Sequence, residues 1–155
     1  MVRIVFKLFQ KVQKLFLWLW QQDGTPSQLA RGIALGVFSG CFPFFGLQTI
    51  LGLMLASLFR GNHLLAAVGT WISNPVTYLP LYWLNYKVGN YFLGGSNNFQ
   101  DFKNFTKDQL WDQGLFFSIR LLLGSTIMGI LLGFISGLIV YFLVKIGSEK
   151  RNYFN

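Results

Sequence analysis

Two apolar stretches, each broken in its middle, constrain this chain more than any other feature. The first runs from Gly32 to Phe59 and is broken at Cys41-Phe42-Pro43-Phe44-Phe45-Gly46. The second runs from Leu64 to Leu93 and is interrupted at Ser73-Asn74-Pro75. Proline lacks an N–H and pushes the residue before it out of the helical region, so each stretch reads as two short helices meeting at a non-helical break. In lipid, the backbone groups freed at such a break must be buried in protein or line a wet cavity. The pattern predicts an all-α integral membrane protein with re-entrant or broken helices, and it makes the breaks the first place to look for a site.

Composition points the same way. Of the 155 residues, 53% are hydrophobic and only 12% are charged, against about 25% charged in soluble domains. The formal net charge of +8 comes from basic residues that sit beside apolar segments rather than among aromatics on a reading surface. Anionic lipid headgroups are therefore the expected partner, and nucleic acid is not. Cys41 is the single cysteine, so one chain can form neither a disulfide nor a cysteine metal site.

Charge placement organises the chain into three parts. Residues 1–25 carry Arg3, Lys7, Lys11 and Lys14 at helical spacing, with Phe9, Val12, Phe16, Leu19 and Trp20 largely off that face. This predicts a basic amphipathic helix lying in the membrane interface. Residues 26–145 form the membrane domain, and residues 146–155 a basic tail. Thr25 precedes Pro26 as an N-cap precedes the first helical residue, so a helix is expected from about Pro26 to Gly40. Leu47 to Phe59 is again short of the roughly 20 residues needed to cross a bilayer, so 26–60 reads as a re-entrant hairpin. Residues 99–113 read as a surface helix, and Leu115 to Val144 as a spanning helix with Arg120 near one end.

Both termini are basic and are expected on the cytoplasmic side. The segment 94–114 balances Lys103 and Lys107 against Asp101, Asp108 and Asp112, which places it outside. The expected protein is multi-pass.

Small residues recur every four positions at Gly32, Gly36 and Gly40, and again at Ser125, Gly129, Gly133 and Gly137. Such stripes let another helix approach closely, within a chain or between chains. Pro43, Gly46, Gln48, Asn62, Ser73, Asn74, Pro75 and Thr77 are the candidate positions at and beside the breaks. Gln48, Asn74 and Thr77 either meet a headgroup or solute in a cavity or satisfy the backbone freed by the prolines. Arg31 and Arg60 flank the hairpin and can contact lipid phosphate or simply anchor the interface. The apolar segments hold no Asp or Glu, and His63 is the only histidine. Neither an enzyme nor a metal or cofactor site is expected.

The run Ala30-Arg31-Gly32-Ile33-Ala34-Leu35-Gly36-Val37-Phe38-Ser39-Gly40, followed by Pro43, Gly46 and Gln48, resembles the start of the bacterial DUF2062 family. Arg60-Gly61-Asn62, Gly69-Thr70-Trp71-Ile72-Ser73-Asn74-Pro75-Val76-Thr77, Tyr82 and Gly89 resemble its second half. The resemblance covers roughly residues 26–145. It implies a membrane domain, in a bacterial inner membrane, in which Pro43, Asn62, Asn74 and Pro75 matter, and it supplies no activity. Two functions are expected as alternatives. One is transport or lipid handling through a cavity between the breaks, in a homo-oligomer. The other is a scaffold that docks membrane proteins through its glycine stripes.

Overall fold

Thr25 adopts the extended conformation of an N-cap, and its hydroxyl accepts from the backbone N–H of Gln28 while Gln28 Oε1 accepts from Thr25 N at 2.9 Å. This capping box, with Pro26 at the first helical position, starts helix α1 (Pro26–Gly40) where the sequence placed it. In the computed structural model, which describes residues 22–44, 46–94 and 107–153, every regular element is helical. After α1 come α2 (Leu47–Leu58), α3 (His63–Gly69), a 3₁₀ turn (Thr70–Ile72), α4 (Tyr78–Phe92) and α5 (Lys107–Tyr153). The expected N-terminal amphipathic helix lies outside the described residues, as do most of the expected 99–113 surface helix and the end of the basic tail. Residues 107–113 are the first two turns of α5 rather than a separate element.

The first break follows from local chemistry. α1 stops as Pro43 approaches, and Gly46 takes φ +82° to restart the chain as α2, a conformation that needs glycine. At this tip Phe38 meets Phe42 edge to face, with ring centroids 5.2 Å apart, and Phe42 stacks on Phe44 at 5.8 Å. α2 ends in a Schellman-type turn in which Gly61 N donates to Ala56 O at 2.8 Å and Arg60 N donates to Ser57 O at 3.4 Å. Arg60 sits at the left-handed position of that turn with φ +53°, where glycine is usual.

Asn62 then begins α3. Its Oδ1 accepts from Leu65 N at 2.9 Å, its Nδ2 donates to Asp23 O at 3.2 Å, and its own N–H donates to Gln28 O at 3.0 Å. The hairpin therefore returns to the level at which α1 began. Asn62→Ala should destabilise the protein by about 1–2 kcal/mol, the worth of a cap plus its tie to α1. Asn62→Asp should keep most of it, as read from unfolding midpoints in detergent.

The packing is built on glycine. A Cβ on Gly32, Gly36 or Gly40 would meet the backbone of Asn62, Ala66 or Thr70 respectively, so α3 and the 3₁₀ turn run parallel to α1 at close backbone approach. Gly52 of α2 lies against Ser39 Oγ and the Gly36 Cα. The opposite side of α1 faces α5: Gly129 meets Phe38, Gly133 meets the Ala34 carbonyl, and Gly137 meets Ala34 and Ala30. α1 and α5 are thus antiparallel, and Leu29, Leu65, Val140 and Val144 close a small apolar core at the end where α1 starts.

α4 does not join this bundle side by side. It continues past the end of α1 and packs on the upper part of α5, with Gly89 against the Arg120 carbonyl and Gly124 against the Asn85 carbonyl. Residues 63–92 therefore make one broken climb antiparallel to α5. Both stripes read from the sequence are occupied by helices of the same chain. Ser125 parts company with the three glycines below it, since it meets α4 rather than α1.

Candidate functional site at the two chain breaks

The chain breaks lie at one level, and a belt of polar groups joins them. Gln48 Nε2 donates to Ser73 Oγ at 2.8 Å, linking the start of α2 to the second break. Thr49 and Thr70 share a hydroxyl hydrogen bond at 3.2 Å. Tyr82 Oη donates to the Phe42 carbonyl at 3.3 Å. Asn85, fully buried, donates through Nδ2 to the Cys41 carbonyl at 2.9 Å and to Ser125 Oγ at 3.0 Å. The carbonyls left open at the end of α1 are thus met by side chains of α4. Two buried amide oxygens in the belt, Gln48 Oε1 and Asn85 Oδ1, find no hydrogen-bond partner among the described residues. An unpaired acceptor at such depth costs about 1–3 kcal/mol unless water or a ligand group meets it.

The second break closes on itself. Asn74 Oδ1 accepts from Val76 N at 2.9 Å and Thr77 N at 3.1 Å. Thr77 Oγ1 accepts from Asn74 N at 2.9 Å and donates to Ile72 O at 2.6 Å. Pro75 sits at the second position of this Asx turn, where its fixed φ suits the bend. The hydrogen bonds of Asn74 and Thr77 stay inside the turn, so the expected convergence of Gln48, Asn74 and Thr77 on one cavity is not what the geometry builds. The backbone freed by Pro75 takes both side chains, and Gln48 reaches Ser73 instead.

The remaining sequence candidates stand elsewhere. Arg31, Arg60 and Asn62 lie at the far end of the α1–α2–α3 unit, where the hairpin starts and returns. Pro43 lies within the first break, between α1 and α2. Ser73, a break residue, joins the belt through Gln48, whereas Asn85 and Tyr82 join it without having been singled out as site residues. Asn85 was legible in principle, as a polar residue inside an apolar stretch, but it lies ten residues past Pro75 and away from both breaks.

The family model described as an uncharacterized protein conserved in bacteria, DUF2062, matches residues 9–152. The chain belongs to the DUF2062 family. No curated protein and no solved structure matches it. In this DUF2062 chain, the residues of the Trp71-Ile72-Ser73-Asn74-Pro75-Val76-Thr77 string that make hydrogen bonds shape the second break and hold it to the first.

Proposed function

We propose that this protein is an integral, multi-pass membrane protein that handles lipid at the polar belt between its breaks. Gly114–Gly147 of α5 is long and apolar enough to cross a membrane. The surface supports that reading further. Trp71, Val76, Tyr91 and Leu58 are 77, 84, 83 and 73% exposed, and large exposed apolar side chains far outnumber buried ones among the described residues. Water would not tolerate such a surface on a monomer. No Asp, Glu, Lys or Arg falls between Arg120 and Lys145, which are about 37 Å apart along α5. That spacing brackets the roughly 30 Å hydrocarbon core.

With both termini in a bacterial cytoplasm, α1–α2 enters and leaves from the cytoplasmic side, 63–92 crosses as a broken helix, and α5 crosses back. The single observation that carries lipid handling is the belt itself. It sets bonded and unbonded polar groups inside an apolar perimeter, where a headgroup passing along the protein can exchange hydrogen bonds with them. The absence of Asp and Glu from the apolar segments argues against a proton relay or an enzyme. The glycine stripes are taken up inside the chain, which leaves the scaffold reading without its docking face.

Reconstituted vesicles carrying a fluorescent phospholipid test this reading. Wild-type protein should speed loss of the inner leaflet's protection from a membrane-impermeant reductant such as dithionite, and Gln48→Leu should slow it while the unfolding midpoint moves little. A wild-type rate equal to that of protein-free vesicles sinks the lipid-handling idea. Topology is read separately. Cysteines placed in segment 95–100 and after Lys150, in a Cys41→Ala background, should label from opposite sides.

A further inference from the structure

A seam on the outside of the α1–α5 contact offers a second, distinct place for lipid. It is a groove of ≈ 260 Å³ formed by Ser27, Ala30, Arg31 and Ala34 of α1 and Phe134, Gly137, Leu138 and Tyr141 of α5. Each set has the spacing i, i+3, i+4, i+7, so each is one face of its helix. Because the helices are antiparallel, Ser27 and Arg31 come to the same end as Tyr141. Ala30, Ala34 and Gly137 make the floor, since α5 approaches α1 closely at Gly137. Seven residues of helix make the seam about 10 Å long.

We infer that this groove binds one anionic phospholipid, with an acyl chain along the small-residue floor and the phosphate at Arg31. The inference rests on the membrane reading above but not on the polar belt. The seam is chemically two-ended. The groove's walls are almost wholly apolar, with the exposed Arg31 bordering one end and Ala34 and Phe134 lining the other. The polar end points toward Lys145, one turn beyond Tyr141, the end at which the headgroups of the basic side would lie. Arg31 Nε donates to Ser27 O at 3.2 Å, which steadies the guanidinium of this exposed residue. No other hydrogen bond or ion pair of Arg31 occurs in the described structure. A phosphate is the partner such a fork fits best.

A second copy of the chain fits less well. A helix laid on the seam would bury Arg31, and the apolar segments carry no Asp or Glu to meet it. A buried charge left without a partner is strongly unfavourable. A phospholipid supplies the anion and the apolar filling in one molecule.

The experiment uses the full chain in nanodiscs of phosphatidylcholine with a minor fraction of phosphatidylglycerol, read by native mass spectrometry after release. Wild type should retain one phosphatidylglycerol in preference to phosphatidylcholine. Arg31→Gln, at an exposed position, should fold normally and lose that preference about tenfold, the scale of a charge-assisted hydrogen bond. Ala30→Leu keeps the charge but fills the floor, and should lose the bound lipid of either headgroup. Equal retention by Arg31→Gln and wild type would overturn the inference. So would retention of phosphatidylglycerol by Ala30→Leu, or displacement of the lipid by glycerol phosphate alone, since either shows that the floor is not used. A dimer that carries no lipid and is lost in Ala30→Leu would give the seam to a second copy instead. Failure of the wild-type chain to stay in the nanodisc would sink the membrane reading, an outcome distinct from all of these.

Discussion

Gly124→Leu is expected to separate α4 from α5 and leave a protein that aggregates or is degraded. A Cβ at Gly124 would fall on the Asn85 carbonyl, and one at Gly89 on the Arg120 carbonyl. The obstacles are backbone atoms, so no rotamer change relieves them and the helices must part. Parting them also removes the Asn85 bonds to Cys41 and Ser125. The cost should exceed about 3 kcal/mol, the upper range for overpacking. Gly114→Leu is the internal control. It lies on the same helix with nothing within 4 Å of its would-be Cβ, so the same substitution should leave the unfolding midpoint unchanged. A Gly124→Leu protein that unfolds like wild type would remove the α4–α5 contact from the fold.

The second large effect is expected from Asn85→Leu, a loss of about 2 kcal/mol. Hydrogen bonds between helices in membranes are worth roughly 0.6 kcal/mol on average and up to about 1.7, and Asn85 makes two. One of them meets the carbonyl at the end of α1, which has no helical successor to bond. Leucine also removes the unpartnered Oδ1, which offsets part of the loss, yet it leaves the buried Cys41 carbonyl without its side-chain donor. The sign therefore stays destabilising. Ser125→Ala should cost less, and the two changes together should cost less than their separate effects combined, because they share a bond. Full additivity, or a stabilised Asn85→Leu protein, would mean that the polar belt does not hold α4 to α1. The measurement is the unfolding midpoint in detergent for both single variants and the double variant.

These two positions show where sequence reasoning reached its limit. Every four-residue stripe was visible, but Gly124 was passed over beside Ser125 because it falls out of the register shared by Gly129, Gly133 and Gly137. A stripe records that a helix may come close, and not which helix. In this chain the α1 stripe faces α3 and the lower α5 stripe faces α1. Gly89 and Gly124 form a separate crossing with α4. Asn74 and Thr77 illustrate the converse. Their bonds span at most five residues, so their part in shaping the break was available locally as the alternative to a cavity.

The sequence by itself determined where α1 starts and where the two breaks fall, though not the ends of α5. Thr25-Pro26, the approach of Pro43, Gly46 and Asn62 act on their own backbone through capping, a missing N–H or a permitted φ, and none of this needs a distant partner. It also determined the long apolar helix and the family. Only the tertiary structure decided that the two breaks sit at one level, that Asn85 closes the end of α1, and that Arg31 heads a seam with Tyr141. Those contacts join residues about 20 to 110 positions apart, and their geometry comes from which glycine faces pair. Several pairings of such faces are sterically open to an isolated chain of helices, and the choice among them is a property of the packed whole.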